Sequence, residues 1–398
     1  MSTVELFDRS RRASSLGIKN AESLVLDWPA IISRKRSIVE SWSKGKEPAL
    51  REAGIDVILG PARFVSPHEI EVDSRRISAG RFVIATGSKA SRPASIDGIE
   101  RAMMSDDLLD HPEVPARVVI VGGGVIALEL GFCFARAGST VTVLQNGHHI
   151  LPSADEEMRD ALVEIGRSLG MKFHTNITVK RIRPDRTAEG EKEGSVDSFP
   201  ADIVLLAAGR PPNTAHLSLE AVGVERTQRG GVAVNEFLQS TSASHVYAAG
   251  DAVGRFQHTP TAWYEGPIAA RNALQGNSEK TDYSVLPTTV FTIPALAQVG
   301  MTERQAIESG CKVKINRTLV KHNPAAGIRE EMEGLTKLIY EEGSEKLLGI
   351  HILGPHAEDL IGGAAIALRC GLTRRELAGI HPVFPTLGSA IIDAANGW

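Results

Sequence analysis

Gly122, Gly124 and Ala127 are small residues placed where a chain could close on a ligand. They follow Arg117-Val118-Val119-Ile120-Val121, an apolar β-prone run, and lead into good helix formers through Ala137. The spacing Gly-x-Gly-x-x-Ala fits the dinucleotide fingerprint. The first glycine makes a tight turn, the second lets a pyrophosphate approach the backbone, and the third small residue lets helix and strand pack closely. The pyrophosphate would meet the exposed N–H groups and positive end of the helix. At Gly138 the chain enters a second β-prone run, Thr140–Leu144. A glycine turn that binds nothing is the bland alternative. The strand–turn–helix–strand context favours the nucleotide.

The rest of the chain must position that turn. Its 398 residues favour two or three domains, and 42% hydrophobic with 23% charged residues is an ordinary globular composition. A net charge of −4 gives no reason to expect nucleic acid or an anionic membrane surface as partner. No apolar run reaches the roughly 18 residues of a membrane span, and the start resembles no leader, so a cytoplasmic location is expected. Cys133, Cys311 and Cys370 form no CxxC or CxxxxC pair, and each is expected to be a buried, inert thiol.

Residues 1–53 carry a helical pattern that Pro48 should interrupt. Short strands are expected at Ile55–Leu59, Arg63–Val65, Glu69–Val72 and Arg81–Ala85, then a loop-like stretch over 86–116. Ser153 or Asp155 would cap a helix to about Leu169. Strands follow at Lys172–His174, Thr178–Ile182 and Ile203–Leu206, with 184–200 a polar hairpin loop. After a strand at 245–249 and a helix over Thr261–Leu274, the last stretch alternates four β-prone runs with helices at 357–369 and 374–379.

Three further strands run into small-residue turns: Phe82-Val-Ile-Ala-Thr86-Gly87-Ser88, Ile203-Val-Leu-Leu-Ala-Ala-Gly209-Arg210 and His245-Val-Tyr-Ala-Ala-Gly250-Asp251. Their order around the fingerprint resembles the pyridine nucleotide–disulfide oxidoreductases, in particular the mercuric reductase-like and dihydrolipoamide dehydrogenase-like members. Matching segments continue through Ala269-Ala-Arg-Asn272, Val299-Gly-Met-Thr-Glu303 and Leu348-Gly-Ile-His-Ile-Leu-Gly354.

The resemblance implies an α/β protein with two Rossmann-like nucleotide-binding domains and a C-terminal α+β dimerisation domain. The FAD domain would comprise 1–93 and 213–281, the NAD(P)H domain 94–212, and the dimerisation domain 282–398. Asp251 would hydrogen-bond the FAD ribityl chain, with Gly250 giving it room and Thr86, Gly87 and Ser88 along the flavin nucleotide. Gly122, Gly124 and Ala127 would take NAD(P)H, Gly209 would close over it, and Glu129 would point toward the nicotinamide. Gln145 stands where an acidic residue would bind the adenosine ribose, so the choice between NADH and NADPH stays open. A homodimer built from 282–398 is implied, and the apolar helix face Leu360, Ile361, Ala364 and Leu368 is expected to take part.

The chain also departs from the family pattern. It has neither the first GxGxxG of the FAD domain nor the redox CxxxxC that follows it, about one βαβ unit. The expectation is a first domain truncated at its N-terminus, with FAD held weakly or not at all. In the family's HPTxSE segment, Phe384 replaces the histidine and Ser389 the glutamate. Phenylalanine transfers no proton, so no catalytic side chain is assigned; His381 nearby reads as a surface or packing residue. No metal site is expected, because the side chains of adjacent His148 and His149 diverge. The leading expectation is an FAD-dependent NAD(P)H oxidoreductase passing electrons to an unidentified small-molecule acceptor, as a truncated or degenerate member. The alternative is a catalytically silent, dinucleotide-binding, dimerising protein.

Overall fold

The computed structural model describes Met1 through Gly397; Trp398, the last residue of the expected dimerisation segment, lies outside the described residues. The helical N-terminal pattern forms Ser2–Arg12, Trp28–Lys44 and Lys46–Glu52. Pro48 sits in the first turn of the last of these, where its missing N–H breaks no bond, so the interruption falls at Gly45.

Two compact units divide the chain. The first comprises Met1–Ile32, Arg92–Ala208 and Ser284 onward. It holds a four-stranded parallel sheet in the order Ile203–Leu206, Arg117–Val121, Thr140–Leu144, Lys172–His174. Val118 and Ile120 pack into one core, with the helices Val125–Arg136 and Glu156–Ser168. Val119 and Val121 pack into another, with Val179, Ile182 and Ala188. Burial on both faces explains why this strand is apolar at every position after Arg117. Residues 184–200 form more than a loop. Ala188–Lys192 and Ser195–Phe199 pair across a Glu193-Gly194 turn with both residues at positive φ.

The C-terminal part of this unit is a five-stranded antiparallel sheet with Leu347–Gly354 at its centre. Helix Ala357–Arg369 lies on it. Ile361 and Ala364 are buried against this sheet with Ala297, Val299 and Ile350. The face expected to serve an interface is therefore covered by the chain's own sheet, while Ile366 on the same helix stays exposed.

The second unit comprises Ser33–Ser91 and Gly209–Tyr283. Ala62–Ser66, Glu69–Val72 and Arg75–Ser78 make an antiparallel meander. Its second turn, Asp73-Ser74, has φ of 44° and 69°, a primed hairpin turn without the usual glycine, which hid the third strand. Phe82–Ile84 pairs in parallel with Val246–Ala248. The run 55–59 forms no strand; Ile55 and Leu59 stay exposed, because β propensity without a partner edge does not make a strand.

Of the three thiols only Cys133 is fully buried, and burial pushes its pKa up. Cys311 is half-buried and Cys370 exposed, so the expectation of three buried cysteines fails for two of them. Cys370 sits just past the last turn of Ala357–Arg369, where a helix end meets solvent.

Candidate functional site: two glycine-lined turns

In the first unit, strand Arg117–Val121 ends in Gly122-Gly123-Gly124, and helix Val125–Arg136 begins directly after. Gly122 has φ of 112°, and a Cβ there would lie 2.3 Å from the Ala207 carbonyl oxygen; the fold itself demands glycine. Gly124 is different. It caps the helix in an ordinary extended conformation, and a Cβ there would meet no atom within 4 Å. Among the described residues no side chain caps this helix, so its first-turn N–H groups are left for a ligand or water. That is the cradle a pyrophosphate needs, and here the residues present fit a dinucleotide.

Ala127 is fully buried on the sheet side of the helix. One turn on, a Cβ at Gly131 would lie 3.0 Å from Met171 Cε, so close helix–strand packing extends beyond the fingerprint. Glu129 is half-buried and accepts a hydrogen bond from the Phe291 N–H at 2.9 Å. Burial raises its pKa, and the Phe291 N–H opposes the rise. Gln145, at the end of Thr140–Leu144, accepts from the Gly123 N–H at 3.1 Å. Gly122, Gly124, Ala127, Glu129 and Gln145 are thus gathered at one end of the parallel sheet. His148 and His149 have ring centroids 6.5 Å apart.

The second unit gathers Thr86, Gly87, Ser88, Gly209, Gly250 and Asp251. Strands Phe82–Ile84 and Val246–Ala248 run side by side, so the turns that follow them emerge together. The Ser88 hydroxyl donates to Asp251 Oδ2 at 2.6 Å, and Arg210 donates to Ser88 Oγ at 3.3 Å and to its carbonyl at 3.4 Å. Gly87 has φ of 70° and its carbonyl accepts from the Asn213 N–H. Gly209 has φ of 116° and its carbonyl accepts from the Ser91 N–H at 3.2 Å. The Thr86 and Thr261 hydroxyls are buried without a hydrogen-bond partner among the described residues. Buried hydroxyls of this kind normally have one, so they mark positions where a polar ligand would bond. Together with the Asp251 carboxylate they suit a polyhydroxyl chain and a flavin edge.

Three residues here carry no motif signal. Glu265, on helix Thr259–Gln275, is 1% exposed and accepts from the Gly250 N–H and from the Tyr283 hydroxyl, each at 2.6 Å. Burial raises the Glu265 carboxyl, and burial with the Glu265 bond pushes Tyr283 up to about 12. His258 precedes this helix; burial lowers its pKa and the Asp251 carboxylate opposes the fall. A buried acid at a helical position looks like a surface residue until its partners are known.

In the C-terminal segment Phe384 is 71% exposed and His381 is exposed too. Ser389 is buried and structural. Its hydroxyl accepts from Asn323 Nδ2 at 3.0 Å and lies 3.1 Å from both the Thr386 carbonyl and Asp393 Oδ2.

Residues 10–266 match the pyridine nucleotide-disulphide oxidoreductase family, and residues 286–395 match its dimerisation domain. The chain is 33% identical over 382 residues to mercuric reductase of Bacillus cereus, across 94% of this chain and 60% of that protein. It is 33% identical to the mitochondrial dihydrolipoyl dehydrogenase of Pisum sativum, across 95% of this chain and 77% of that one. The chain therefore spans about three-fifths of the first relative's length and about three-quarters of the second's. Among solved structures, the HOCl-induced flavoprotein disulfide reductase RclA of Escherichia coli superposes with a TM-score of 0.85 at 28% identity, covering 98% of this chain and 89% of that one. With residues 10–266 and 286–395 both matched, the chain belongs to the pyridine nucleotide-disulphide oxidoreductases.

Proposed function

We propose that this protein is an FAD-dependent NAD(P)H oxidoreductase that delivers electrons to a small-molecule acceptor. The observation that carries the reading is the open space at Gly124: the fold makes no demand for glycine there, and a dinucleotide does. In this reading 94–212 binds NAD(P)H, 1–93 with 213–281 binds FAD, and 282–398 forms a homodimer in the cytoplasm.

When bound, a flavin supplies hydride acceptance from a nicotinamide and onward electron transfer; the chain binds, aligns and shields. Gly122, Gly124 and Ala127 shape the dinucleotide cradle, and Glu129 orients the nicotinamide end. Asp251 accepts from ribityl hydroxyls, with Ser88 donating to its carboxylate and Arg210 holding Ser88. Thr86 and Gly87 line the flavin nucleotide, and Gly250 keeps the turn open. No side chain is assigned a proton-transfer role.

The second reading, a silent dinucleotide-binding dimer, draws on Phe384 and Ser389, which cannot replace an acid–base pair. One assay separates the two. The purified chain is supplied with excess FAD and NADH, and reduction of a quinone or dye is followed. The oxidoreductase reading expects turnover well above that of free FAD. NADH binding without any such turnover supports the silent reading.

A further inference from the structure

The turn that carries Asp251 is held from behind by a pair of residues on another element. Gly250 has φ of 67°, and a Cβ there would lie 3.0 Å from the Ala262 Cβ, so the turn is seated directly on helix Thr259–Gln275. One helical turn beyond Ala262, Glu265 reaches back with one carboxylate oxygen to the Gly250 N–H and with the other to the Tyr283 hydroxyl. Tyr283 is itself fixed by Phe256 and Tyr264, at ring centroids of 4.9 and 6.0 Å, and by the Arg255 guanidinium 5.4 Å over its ring. The charged groups facing the carboxylate are Arg255, which favours its ionised form, and Asp251, which opposes it.

We infer that Glu265, fixed by Tyr283, is a positioning residue: its hydrogen bond to the Gly250 N–H sets the Gly250-Asp251 turn so that the Asp251 carboxylate is aimed at a polyhydroxyl ligand before that ligand arrives. The inference rests on the reading of Asp251 as the flavin-side ligand. The geometry argues for preorganisation over mere filling of space. A buried carboxylate is costly unless both oxygens are engaged, and here each has one short bond, one of them to the residue next to Asp251. The Ser88 hydroxyl then fixes the Asp251 side chain from the turn after the neighbouring parallel strand. Backbone and side chain of the turn are thus held independently.

The test compares the wild-type chain with Glu265→Ala, Glu265→Gln, Tyr283→Phe and Asp251→Ala. Amide hydrogen exchange at Gly250–Val253 is read without ligand, and FAD affinity is read from quenching of flavin fluorescence. Glu265→Ala should speed exchange at Gly250 and weaken FAD binding by about tenfold or more each, the loss expected for one bond to a charged acceptor. Glu265→Gln, whose amide oxygen still accepts from Gly250, should restore most of both. Tyr283→Phe, which removes one hydroxyl and no volume, should move both in the same direction as Glu265→Ala and by less. It keeps the test alive should Glu265→Ala fold poorly. Unchanged exchange in Tyr283→Phe and Glu265→Ala overturns the inference, as does faster exchange with unchanged FAD affinity while Asp251→Ala still weakens binding. Equal FAD affinity of wild type and Asp251→Ala is a different failure; it overturns the flavin reading and the positioning role with it.

Discussion

Gln145 Oε1 accepts a hydrogen bond from the Gly123 N–H at 3.1 Å, and Gln145 Nε2 donates to the His149 carbonyl at 3.3 Å. The side chain that would read the adenosine ribose is therefore committed to the turn and to the loop after it. A carboxylate there would favour NADH and an arginine NADPH, and this amide is neutral and already engaged. NADH and NADPH should bind with dissociation constants within about tenfold of each other, about 1.4 kcal/mol. Gln145→Glu should shift the ratio toward NADH by repelling a 2′-phosphate. Calorimetry with both coenzymes checks this, and a strong wild-type preference for NADPH would contradict it.

Much of this was legible because periodicity and glycine spacing are local. The strand–turn–helix over 117–136 needs only an apolar run, three glycines and helix formers, and it forms as read. The run at 55–59 looked as β-prone as its neighbours and formed nothing, because a strand is decided by its partner. Helix Ser389–Asn396 was missed; its start is held by Ser389 bonded to Asn323, a contact between distant residues that no spacing encodes. Glu265 and Lys337 were passed over for the same reason. Each is an ordinary charged residue until folding buries it beside its partners.

Lys337 and Asp155 form such a buried pair, 2.8 Å apart with both side chains 1% exposed. Glu303 and Glu157 complete the ammonium's surroundings at 2.7 and 3.1 Å. Burial alone would raise Asp155, but the bonds from Lys337 and from the Glu303 N–H outweigh it and hold the carboxyl low. Lys337→Met should cost about 3–5 kcal/mol, because it strands a buried carboxylate, and adding Asp155→Asn should recover part of the loss. Urea denaturation measures both. A loss below about 1 kcal/mol, typical of exposed pairs, would show that the pair is not desolvated as described.

His351 gives the fold a dependence on acid. The ring is fully buried, its Nε2 lies 3.0 Å from the Met301 carbonyl, and its Nδ1 has no partner among the described residues. Burial, with the nearby Lys337 ammonium, holds its pKa below the ordinary 6.5 against the pull of Asp155 and the Met301 carbonyl. Above pH 6.5 the ring is neutral folded or unfolded, and its contribution is complete. Below that, the unfolded chain takes a proton the folded chain resists, so stability falls by up to about 1.4 kcal/mol per pH unit until the folded pKa is reached. His351→Gln should flatten that window in pH-dependent urea melts. An unchanged slope would place the acid lability elsewhere.

Reduction of lipoamide or glutathione disulfide by the purified chain should not exceed background. Cys133 is buried, no two cysteines are near in sequence, and Phe384 and Ser389 offer no proton. The assay is NADH oxidation with either disulfide, with FAD supplied. Turnover that a Cys133→Ser, Cys311→Ser or Cys370→Ser change removes would contradict this account.

Dinucleotide binding depends on the cradle at residues 122–129. A Cβ at Gly124 would meet no atom of the described residues within 4 Å beyond its own chain neighbours, so Gly124→Val should leave the thermal midpoint nearly unchanged. The same change fills the space a pyrophosphate would enter. Isothermal titration of NADH into wild type and Gly124→Val decides the matter most directly. The account predicts a clear binding isotherm for wild type and none for the variant at equal folded concentration, whereas equal binding by the two would contradict it.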